Sequence, residues 1–584
     1  MNSRTVWLML AVVLLLGGGV FWQLRRESVS GLEPDRALFP DLRAERLQSV
    51  RIDNLERGLQ LTITREGEGA WQIVDPLDFP AEAGVMARLL EVVSKNRAAL
   101  VEKPVLSELS LDPPRAVLEV TESLPAGPRK QRLELGAQDL DGKHVFARVD
   151  GVVVRTLLNL DSTLDRDLPD WRQRRILSFD PGSVVEVRRS GKVALDAVVG
   201  LMDLTLEAGT TETGWRASRP WTAALDPGLI GALLANLCYM PARTFLADSA
   251  SQVSSYGLDH PDIRVELGMA IGAEEVLLFR HHIDSQSWVC MRENSTHVFK
   301  VDDVSAVFLA APSDGFLDRR IARVVPDKVE RIELQRGADT LTLRRNGKLW
   351  MLGAKQAGSL RAEVTADSVA VTDLLAALEG ASVARFLIDE EALPFSQDEA
   401  LGLTLFTHEA QYGCEFGSSK DASPGIPGRL FRRPGEDVVG VVEDRIAALA
   451  AKSWVDFVER QLIQLPEKAI ARIDLAHGSV KRSFVRDPES GRWSPEGIDS
   501  EAPKTFLKCV ERLLSLRADT VVAPDAAFEL QDPWQISVID GGDVRTTYRL
   551  GRLASDPKAV GYEGTRVRGL VTSSGLLEDL ELIQ

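Results

Sequence analysis

The sequence predicts an α+β protein, with an N-terminal transmembrane helix followed by about four tandem modules, each a mostly antiparallel sheet packed on one main helix. Three observations predict this fold class. An uncharged apolar stretch lies near the N-terminus, a tryptophan recurs after strand-like segments at spacings of 144, 135 and 143 residues, and an amphipathic helix follows each tryptophan. A chain of 584 residues also exceeds what one hydrophobic core usually serves.

The apolar stretch, residues 6–22, contains no charged side chain and has the length of a short membrane-spanning helix. Residues at its two ends suit a membrane interface, and we take as anchor markers Val6, Trp7, Phe21 and Trp22. The stretch ends in bulky and charged residues, whereas a signal-peptide cleavage site needs small ones. We therefore expect an anchor over residues 1–24 and a juxtamembrane tether over residues 25–45. A cleaved signal peptide is the alternative.

Such an anchor predicts a single-pass membrane protein. Arginines are more numerous after the apolar stretch than before it, which by the positive-inside rule would keep the C-terminal side in the cytoplasm. Long domains can cross the membrane despite nearby charge, so charge alone leaves the orientation open.

The modules are predicted from the recurring tryptophans and helices. The tryptophans, which we take as markers of a repeated core, are Trp71, Trp215, Trp350 and Trp493. Apolar residues in each following helix recur at positions i, i+3 and i+4, so each helix buries one face. In the third helix these residues are Val371, Leu374, Leu375 and Leu378. The module boundaries that we predict are 46–176, 177–322, 323–463 and 464–584.

Two further landmarks recur in the same order. An Asp and a Pro form a turn after the helix in the first, second and fourth modules, whereas the third module has lost both residues. The first three modules end with Trp or Phe beside Asp and Arg, in segments 167–175, 314–320 and 452–460. The repeat period is too long for a solenoid, so we expect each module to bury a core of its own.

These landmarks resemble a known bacterial family. An anchor, the Leu-Phe-Pro-Asp-Leu segment at 38–42, a strand, a turn ending in Trp, a helix and a Gly-Leu-Asp-x-Pro-like turn are similar to the family called domain of unknown function 4340. The resemblance covers nearly all the chain after the anchor and is clearest at Trp71 with 111–113 and at Trp215 with 257–261. The third module departs at this turn, and the fourth lacks its glycine.

The resemblance implies an accessory partner of ABC-type transport systems related to gliding-motility transporters, with its domains outside the cytoplasm. It therefore also implies a single-pass protein of the bacterial inner membrane, with the bulk of the chain in the periplasm. The family has no established catalytic residues, so the resemblance carries none over to this chain.

Composition and motifs give little indication of a catalytic, metal-binding or nucleic-acid-binding site. The net charge of −17 disfavours a nucleic-acid partner. No phosphate-binding loop or nucleophile elbow occurs in the sequence. The four cysteines are too widely spaced for a zinc site, and we interpret them as buried free thiols: Cys238, Cys290, Cys414 and Cys509. We therefore expect no catalytic residue, no cofactor and no metal.

Two local patterns resemble metal loops but fit them poorly. The segment 139–143 begins like a calcium loop, yet it lacks the glycine and glutamate that such a loop needs at positions 6 and 12, so we interpret it as a hairpin turn. His281, His282 and Asp284 lie near Cys290, but adjacent residues of a strand point to opposite faces. This pattern favours a solvated strand end.

Two functions remain after these exclusions. The leading hypothesis is a non-enzymatic, membrane-anchored, extracytoplasmic scaffold or accessory subunit of an ABC-type transport or envelope system, with the membrane and integral-membrane transporter subunits as partners. The alternative is a protein that binds a glycan or peptide in clefts between modules or on the repeated tryptophans. One tryptophan per module at the same place favours a packing role over a stacking platform. The sequence identifies no small-molecule ligand.

Overall fold

The computed structural model describes residues 36–583 except 67–68, 192–202, 210–213, 283–286, 303–308, 310, 357, 389–399, 420–427, 523–525, 557, 565–567 and 572–574. Strands predominate, and they form antiparallel sheets throughout these residues. Contacts divide the chain into two compact units. Unit 1 is Met1–Asp203 with Gly231–Pro312, and unit 2 is Leu204–Ile230 with Ser313–Gln584.

No helix among the described residues is long and apolar enough to cross a membrane. The longest of them have 13 residues, whereas a bilayer needs about 20 apolar residues. This finding corrects the predicted fold class, which included a transmembrane helix, and the predicted localisation as a single-pass inner-membrane protein. The predicted anchor, residues 1–24 with its markers Val6, Trp7, Phe21 and Trp22, lies outside the described residues.

Sheet 1 lies in unit 1 and has the strand order β1-β6-β10-β9-β8-β7-β2-β3-β4-β5. Its strands are β1 (Arg36–Ala37), β2 (Leu47–Asn54), β3 (Leu59–Glu66), β4 (Ala70–Asp75), β5 (Phe79–Pro80), β6 (Arg97–Leu100), β7 (Ala116–Leu124), β8 (Gly127–Gln138), β9 (His144–Val149) and β10 (Val152–Leu157). The helices beside it are α1 (Ala83–Lys95), α2 (Asn159–Leu164) and α3 (Leu168–Trp171). The first long strand, β2, therefore lies between a hairpin partner and a four-strand meander.

Six strands of sheet 2 lie in unit 1, in the order β11-β16-β17-β18-β19-β15. They are β11 (Val184–Gly191), β15 (Thr244–Ala247), β16 (Ile263–Met269), β17 (Glu274–His282), β18 (Ser287–Arg292) and β19 (Val298–Val301). In unit 2, three strands pair in the order β14-β13-β12: β12 (Leu204–Ala208), β13 (Trp215–Arg219) and β14 (Ala223–Ala224). The helices of this part of the chain are α4 (Pro227–Tyr239) and α5 (Ala250–Val253).

Sheets 3 and 4 lie in unit 2 and repeat the order of sheet 1. Sheet 3 has β20 (Val329–Arg336), β21 (Asp339–Asn346), β22 (Leu349–Gln356), β23 (Ser359–Leu360), β24 (Val364–Thr365), β25 (Arg385–Leu387), β26 (Leu401–Thr407), β27 (Gln411–Ser419), β28 (Arg429–Arg432) and β29 (Val439–Val442). Sheet 4 has β30 (Ile470–His477), β31 (Val480–Arg486), β32 (Trp493–Pro495), β33 (Thr520–Val522), β34 (Leu530–Asp540), β35 (Arg545–Leu553), β36 (Val560–Glu563) and β37 (Arg568–Val571).

The orders are β23-β22-β21-β20-β26-β27-β28-β29-β25, with β24 on β22, and β32-β31-β30-β34-β35-β36-β37-β33. The helices are α6 (Ser368–Glu379), α7 (Asp444–Ala450), α8 (Trp454–Phe457), α9 (Lys504–Ser515) and α10 (Leu576–Glu581). A 3₁₀ turn precedes the first long strand in all four parts of the chain, at Ala44–Arg46, Pro181–Ser183, Pro326–Lys328 and Glu467–Ala469.

Each main helix buries one apolar face against its sheet. In α6 the buried residues are the four that the sequence pattern predicts, Val371, Leu374, Leu375 and Leu378. In α1 they are Met86, Leu89, Val92 and Val93, which also lie on one face of the helix. Burying a face of this kind stabilises each fold by about 1.5–3 kcal/mol per fully buried large side chain.

The opposite face of sheet 1 is polar and carries ladders of opposite charges across its strands. Arg132 lies 3.4 Å from Glu119 and 3.2 Å from Glu134, and Glu134 also pairs with Arg148. Cross-strand pairs of opposite charge stabilise a solvated sheet face modestly. A sheet with one apolar and one charged face needs only one layer of helices.

A cross-strand pair of arginine and tryptophan holds the opening 3₁₀ turn in sheets 1 and 3. Arg65 lies opposite Trp71 with its guanidinium 5.7 Å from the ring, and its Nη1 donates to the carbonyl of Glu45 at 3.0 Å. Arg345 lies opposite Trp350 at 5.0 Å and donates to the carbonyl of Asp327 at 3.1 Å. The cation–π contact therefore covers one face of each indole ring.

The same position differs in the other two parts of the chain. Trp493 lies opposite Arg486, and its indole N–H donates to Glu467 of the opening turn at 3.3 Å. Trp215 lies opposite Ala208 and is only half-buried, whereas the other three marker tryptophans are at most 9 % exposed. Truncation of Trp215 therefore removes less buried surface than truncation of the other three.

We predict that Trp350→Ala lowers the free energy of unfolding by about 3–5 kcal/mol, because it removes a buried ring and the cation–π contact of that ring with Arg345. Trp215→Ala is the matched control, and we expect a clearly smaller loss because this ring is half-exposed. Urea unfolding followed by circular dichroism measures both. Equal losses for the two variants would contradict the packing role of the buried tryptophans.

Candidate functional site

The ends of the first three predicted modules, where an aromatic residue lies beside charged residues, form junctions along the chain. We define them as closing segment 1 (171–176), closing segment 2 (316–321) and closing segment 3 (457–462). Each begins with a fully buried aromatic side chain: Trp171, Phe316 and Phe457. This side chain fixes the start of each segment within the preceding core.

Closing segment 1 makes backbone hydrogen bonds on two sides. Its first half pairs with the chain between β5 and α1, and its second half pairs with the chain after α4. The four bonds are Glu82 N–H to Trp171 O (2.7 Å), Gln173 N–H to Pro80 O (2.9 Å), Ile176 N–H to Met240 O (3.2 Å) and Ala242 N–H to Arg174 O (2.7 Å). The segment is therefore a short strand between two parts of unit 1.

The other two closing segments repeat the same four bonds within unit 2. In segment 2 they are Asp226 to Phe316 (2.9 Å), Asp318 to Ala224 (3.0 Å), Ile321 to Ala381 (3.2 Å) and Val383 to Arg319 (2.7 Å). In segment 3 they are Asp367 to Phe457 (2.7 Å), Glu459 to Thr365 (3.1 Å), Leu462 to Leu516 (2.9 Å) and Ala518 to Arg460 (2.9 Å). In each case the N–H of the first residue donates to the carbonyl of the second.

Side chains reinforce closing segment 1 with an ion pair between the buried Arg172 and the more exposed Asp248. Arg172 is 2 % exposed and donates to both carboxylate oxygens of Asp248, at 2.5 and 3.1 Å. Its guanidinium lies 4.4 Å from the ring of Phe79 and 3.8 Å from that of Phe245. His297 Nδ1 lies 3.0 Å from the same carboxylate. Bidentate pairing and two aromatic faces suit arginine better than lysine.

The carboxylate of Asp248 keeps its charge in this setting. Burial alone would raise its pKa, but hydrogen bonds and charge from Arg172 and His297 outweigh burial and lower the pKa of Asp248. The pair therefore stays ionised at neutral pH, with the arginine charge neutralised inside the junction.

Closing segment 2 contains a more deeply buried carboxylate, Asp318, which is 1 % exposed. It accepts hydrogen bonds from the Arg320 backbone at 3.0 Å, from the Arg320 guanidinium at 2.9 and 3.0 Å, and from Arg323. Burial would raise the pKa of Asp318, and the hydrogen bonds from Arg320 and Arg323 lower it overall. Its ionised form is therefore part of the folded state.

Closing segment 3 is held partly by groups farther along the chain. The Tyr562 hydroxyl donates to the carbonyl of Arg460 at 2.8 Å, and Arg517 donates to Asp367 at 2.9 Å. Asp367 also caps the start of α6 by accepting from the N–H of Val369 at 3.0 Å. The side chains thus differ among the junctions, whereas the backbone bonds are the same.

The calcium-like segment is a hairpin turn between β8 and β9. Asp141 accepts from the backbone N–H of Lys143 at 2.8 Å, and this bond is the main cause that lowers the pKa of Asp141 to about 2. Asp139, Asp141 and His144 place ligand atoms within 4.8 Å of one another. Arg155 donates to both aspartates, so the cluster already has a positive partner.

The cysteines and the histidine pair lie in structural positions. All four cysteines are buried; burial raises the pKa of Cys414 and of Cys509 to about 12, and also raises that of Cys290, so these three thiols are protonated at neutral pH. His281 packs on Trp288, and His282 lies 3.1 Å from the carbonyl of Tyr256. Asp284 lies outside the described residues.

Sequence patterns did not reveal the junction bonds. They join backbone groups far apart in the chain, which leave no periodicity or motif. The recurring aromatic residue at the start of each closing segment was the one available signal, because a large apolar residue within a charged segment indicates burial.

We predict that Asp318→Asn lowers the free energy of unfolding at neutral pH by about 3–5 kcal/mol, because Arg320 and Arg323 lose a buried partner. The folded pKa of Asp318 lies below the ordinary 3.8. Its charge therefore stabilises the fold above that pH, and this contribution is lost as pH falls through the folded pKa. The difference between wild type and variant should shrink in acid.

Urea unfolding at neutral pH and below pH 3.8 measures this difference. Asp314→Asn is the control, because Asp314 is exposed and lies shortly before Asp318 in the chain. We expect this variant to have nearly wild-type stability at both pH values. A penalty for Asp318→Asn that does not change with pH would refute the role of the ionised carboxylate.

The comparison with known proteins identifies a family. No curated protein matches the chain. The family described as "Domain of unknown function (DUF4340)" matches residues 71–209 and 215–403, together more than half of the chain. The leucine of the Gly-Leu-Asp-x-Pro-like turn is buried in both matched segments, at Leu111 and Leu258. The match confirms the resemblance seen in the sequence, and the chain belongs to the domain of unknown function 4340 family.

Proposed function

We propose that this protein is a non-enzymatic scaffold, an accessory subunit of an ABC-type transport or envelope system. The observation that carries the proposal is the closing segment. Three segments each make the same four backbone hydrogen bonds, and each thereby joins consecutive parts of the chain within a unit. A scaffold needs such fixed connections, because flexible linkers would let its binding surfaces move independently.

The repeated tryptophans give less support to the alternative, a glycan- or peptide-binding protein. A stacking platform needs an open indole face, and Arg65 and Arg345 cover one face of Trp71 and Trp350. These rings are also buried in their cores. Trp215 is the half-exposed exception. The alternative would therefore rest on one ring of the four.

The proposed partners are subunits of a membrane transporter, as the family resemblance implies. Their contact surface on this chain is not specified by the proposal. A partner that contacts more than one part of the chain would benefit from fixed junctions, because binding would cost less conformational entropy.

The test is recovery of partners from native cells. A tagged full-length chain is crosslinked in cells and purified, and the chains recovered with it are identified by mass spectrometry. We expect transporter subunits among them. We also expect Arg172→Met, which removes the ion pair with Asp248 while keeping most of the side-chain volume, to reduce their recovery.

Arg174→Met is the matched control. Arg174 lies on the same closing segment, but its side chain is about half-exposed and, among the described residues, forms an ion pair only with Asp170, so recovery should equal that of the wild type. Both variants should be compared at equal amounts of folded chain. Purification that yields no transporter subunit, or equal recovery with Arg172→Met, would count against the proposal.

A further inference from the structure

We propose that a cleft in sheet 3 binds a small organic anion, with a carboxylate or phosphate group and an apolar part. The cleft has a volume of about 330 Å³ and lies where β20, β21 and β22 meet the chain before α8. Its size falls at the lower end of the range for ligand pockets. The site is separate from the closing segments and does not depend on the function proposed above.

The floor of the cleft is apolar. Leu334, Leu341 and Trp454 line it, and each is at most 8 % exposed. An apolar floor favours a ligand that has a hydrocarbon or ring portion. It also lowers the local dielectric constant, which strengthens the interaction of any charge bound above it.

The walls carry four cations and one carboxylate. The cations are Arg336, Lys355, Arg361 and Lys452, and the carboxylate is Asp339. This excess of positive charge lies in a chain whose net charge is −17. Like charges gathered around one cleft repel each other unless an anion compensates them.

Among the described residues, none of these four cations forms a close ion pair with a carboxylate, although Asp339 lies in the same cleft. Arg336 donates to the carbonyl of Ala451 at 2.6 Å, and Arg361 donates to the Gln356 side chain and lies 5.9 Å from the Trp454 ring. Elsewhere in the same sheet, arginines do pair with acids: Arg344 lies 3.1 Å from Glu363. The cleft therefore differs from the ion-pair ladders of the sheet faces.

The corresponding cleft of sheet 1 shows that the fold itself does not require cations. Its volume is about 370 Å³, and its lining includes Asp53, Asn54, Asp75 and Pro76. Asn54 donates to the carbonyl of Leu164 at the end of α2, as Arg336 does to that of Ala451 just after α7. The two clefts occupy equivalent places with opposite charge. The cations of sheet 3 are thus not shared with the equivalent cleft of sheet 1.

Phenyl phosphate and phenylacetate are suitable probes, with benzyl alcohol as their neutral analogue. Isothermal titration of the full chain at low ionic strength should detect binding of at least one anion and weaker or no binding of the alcohol. Affinity should fall as salt is added, because mobile ions screen the cations. Comparison of the two anions tells which head group the cleft accepts.

The variant Lys355→Gln with Arg361→Gln should bind the anion at least about tenfold more weakly, because two of the four charges are gone. Lys328→Gln with Lys348→Gln is the charge-matched control. Both lysines are exposed and lie at the other end of β20 and of the β21–β22 hairpin, so binding should be unchanged.

Thermal unfolding verifies that the variants remain folded. The proposal is overturned if neither anion binds at millimolar concentration, if benzyl alcohol binds as well as the anions, or if Lys355→Gln with Arg361→Gln binds like the control.

Discussion

The backbone hydrogen bonds of the closing segments are the constraint on which the arrangement within each unit depends. A peptide group taken out of water needs a partner, and each closing segment finds partners on both of its sides. The buried aromatic residue at the start of each segment fixes the register, since a shift by one residue would expose it. Every residue carries the backbone groups that form these bonds, so Arg172, Leu317 and Val458 can occupy the same place in the three segments, while their side chains contribute differently to the stability of each junction.

This constraint explains why the side chains around the junctions are free to differ. Closing segment 1 places an arginine between two phenylalanine rings, whereas closing segment 2 buries an aspartate among arginines. Both arrangements give a buried charge a partner of opposite charge, because an unpaired buried charge would destabilise the fold. The same division applies inside the sheets, where the pairing of strands is repeated and the charged clefts are not. Repeated backbone geometry therefore permits modules with different surfaces, as a scaffold with several contacts requires.

The sequence predicted the repeated order of strand, tryptophan, helix and turn, because alternation and helical periodicity are local signals. It could not predict the 3₁₀ turns. It also could not predict the short helices α2, α7 and α10, which follow β10, β29 and β37, because such short elements show no periodicity. Trp215 looked equivalent to the other markers. Its environment depends on Ala208 across the hairpin, where the other three strands have arginines.

The predicted transmembrane helix was based on the hydropathy of residues 6–22 and on the residues at their ends, and the helices described here are all shorter than a bilayer requires. The anion-binding cleft had no sequence signal either. Arg336 and Lys452 lie far apart in the chain and come together only when α7 packs beside β20. Charge clusters formed by tertiary contacts cannot be found from composition.

Hydrogen exchange tests the central claim most directly. Ala242, Val383 and Ala518 each donate a backbone hydrogen bond to a closing segment. If the segments are fixed connections, these three amides exchange as slowly as those of neighbouring central strands, because exchange then requires a cooperative opening. Exchange at the rate of exposed loops would contradict the account, since the segments would then be flexible linkers.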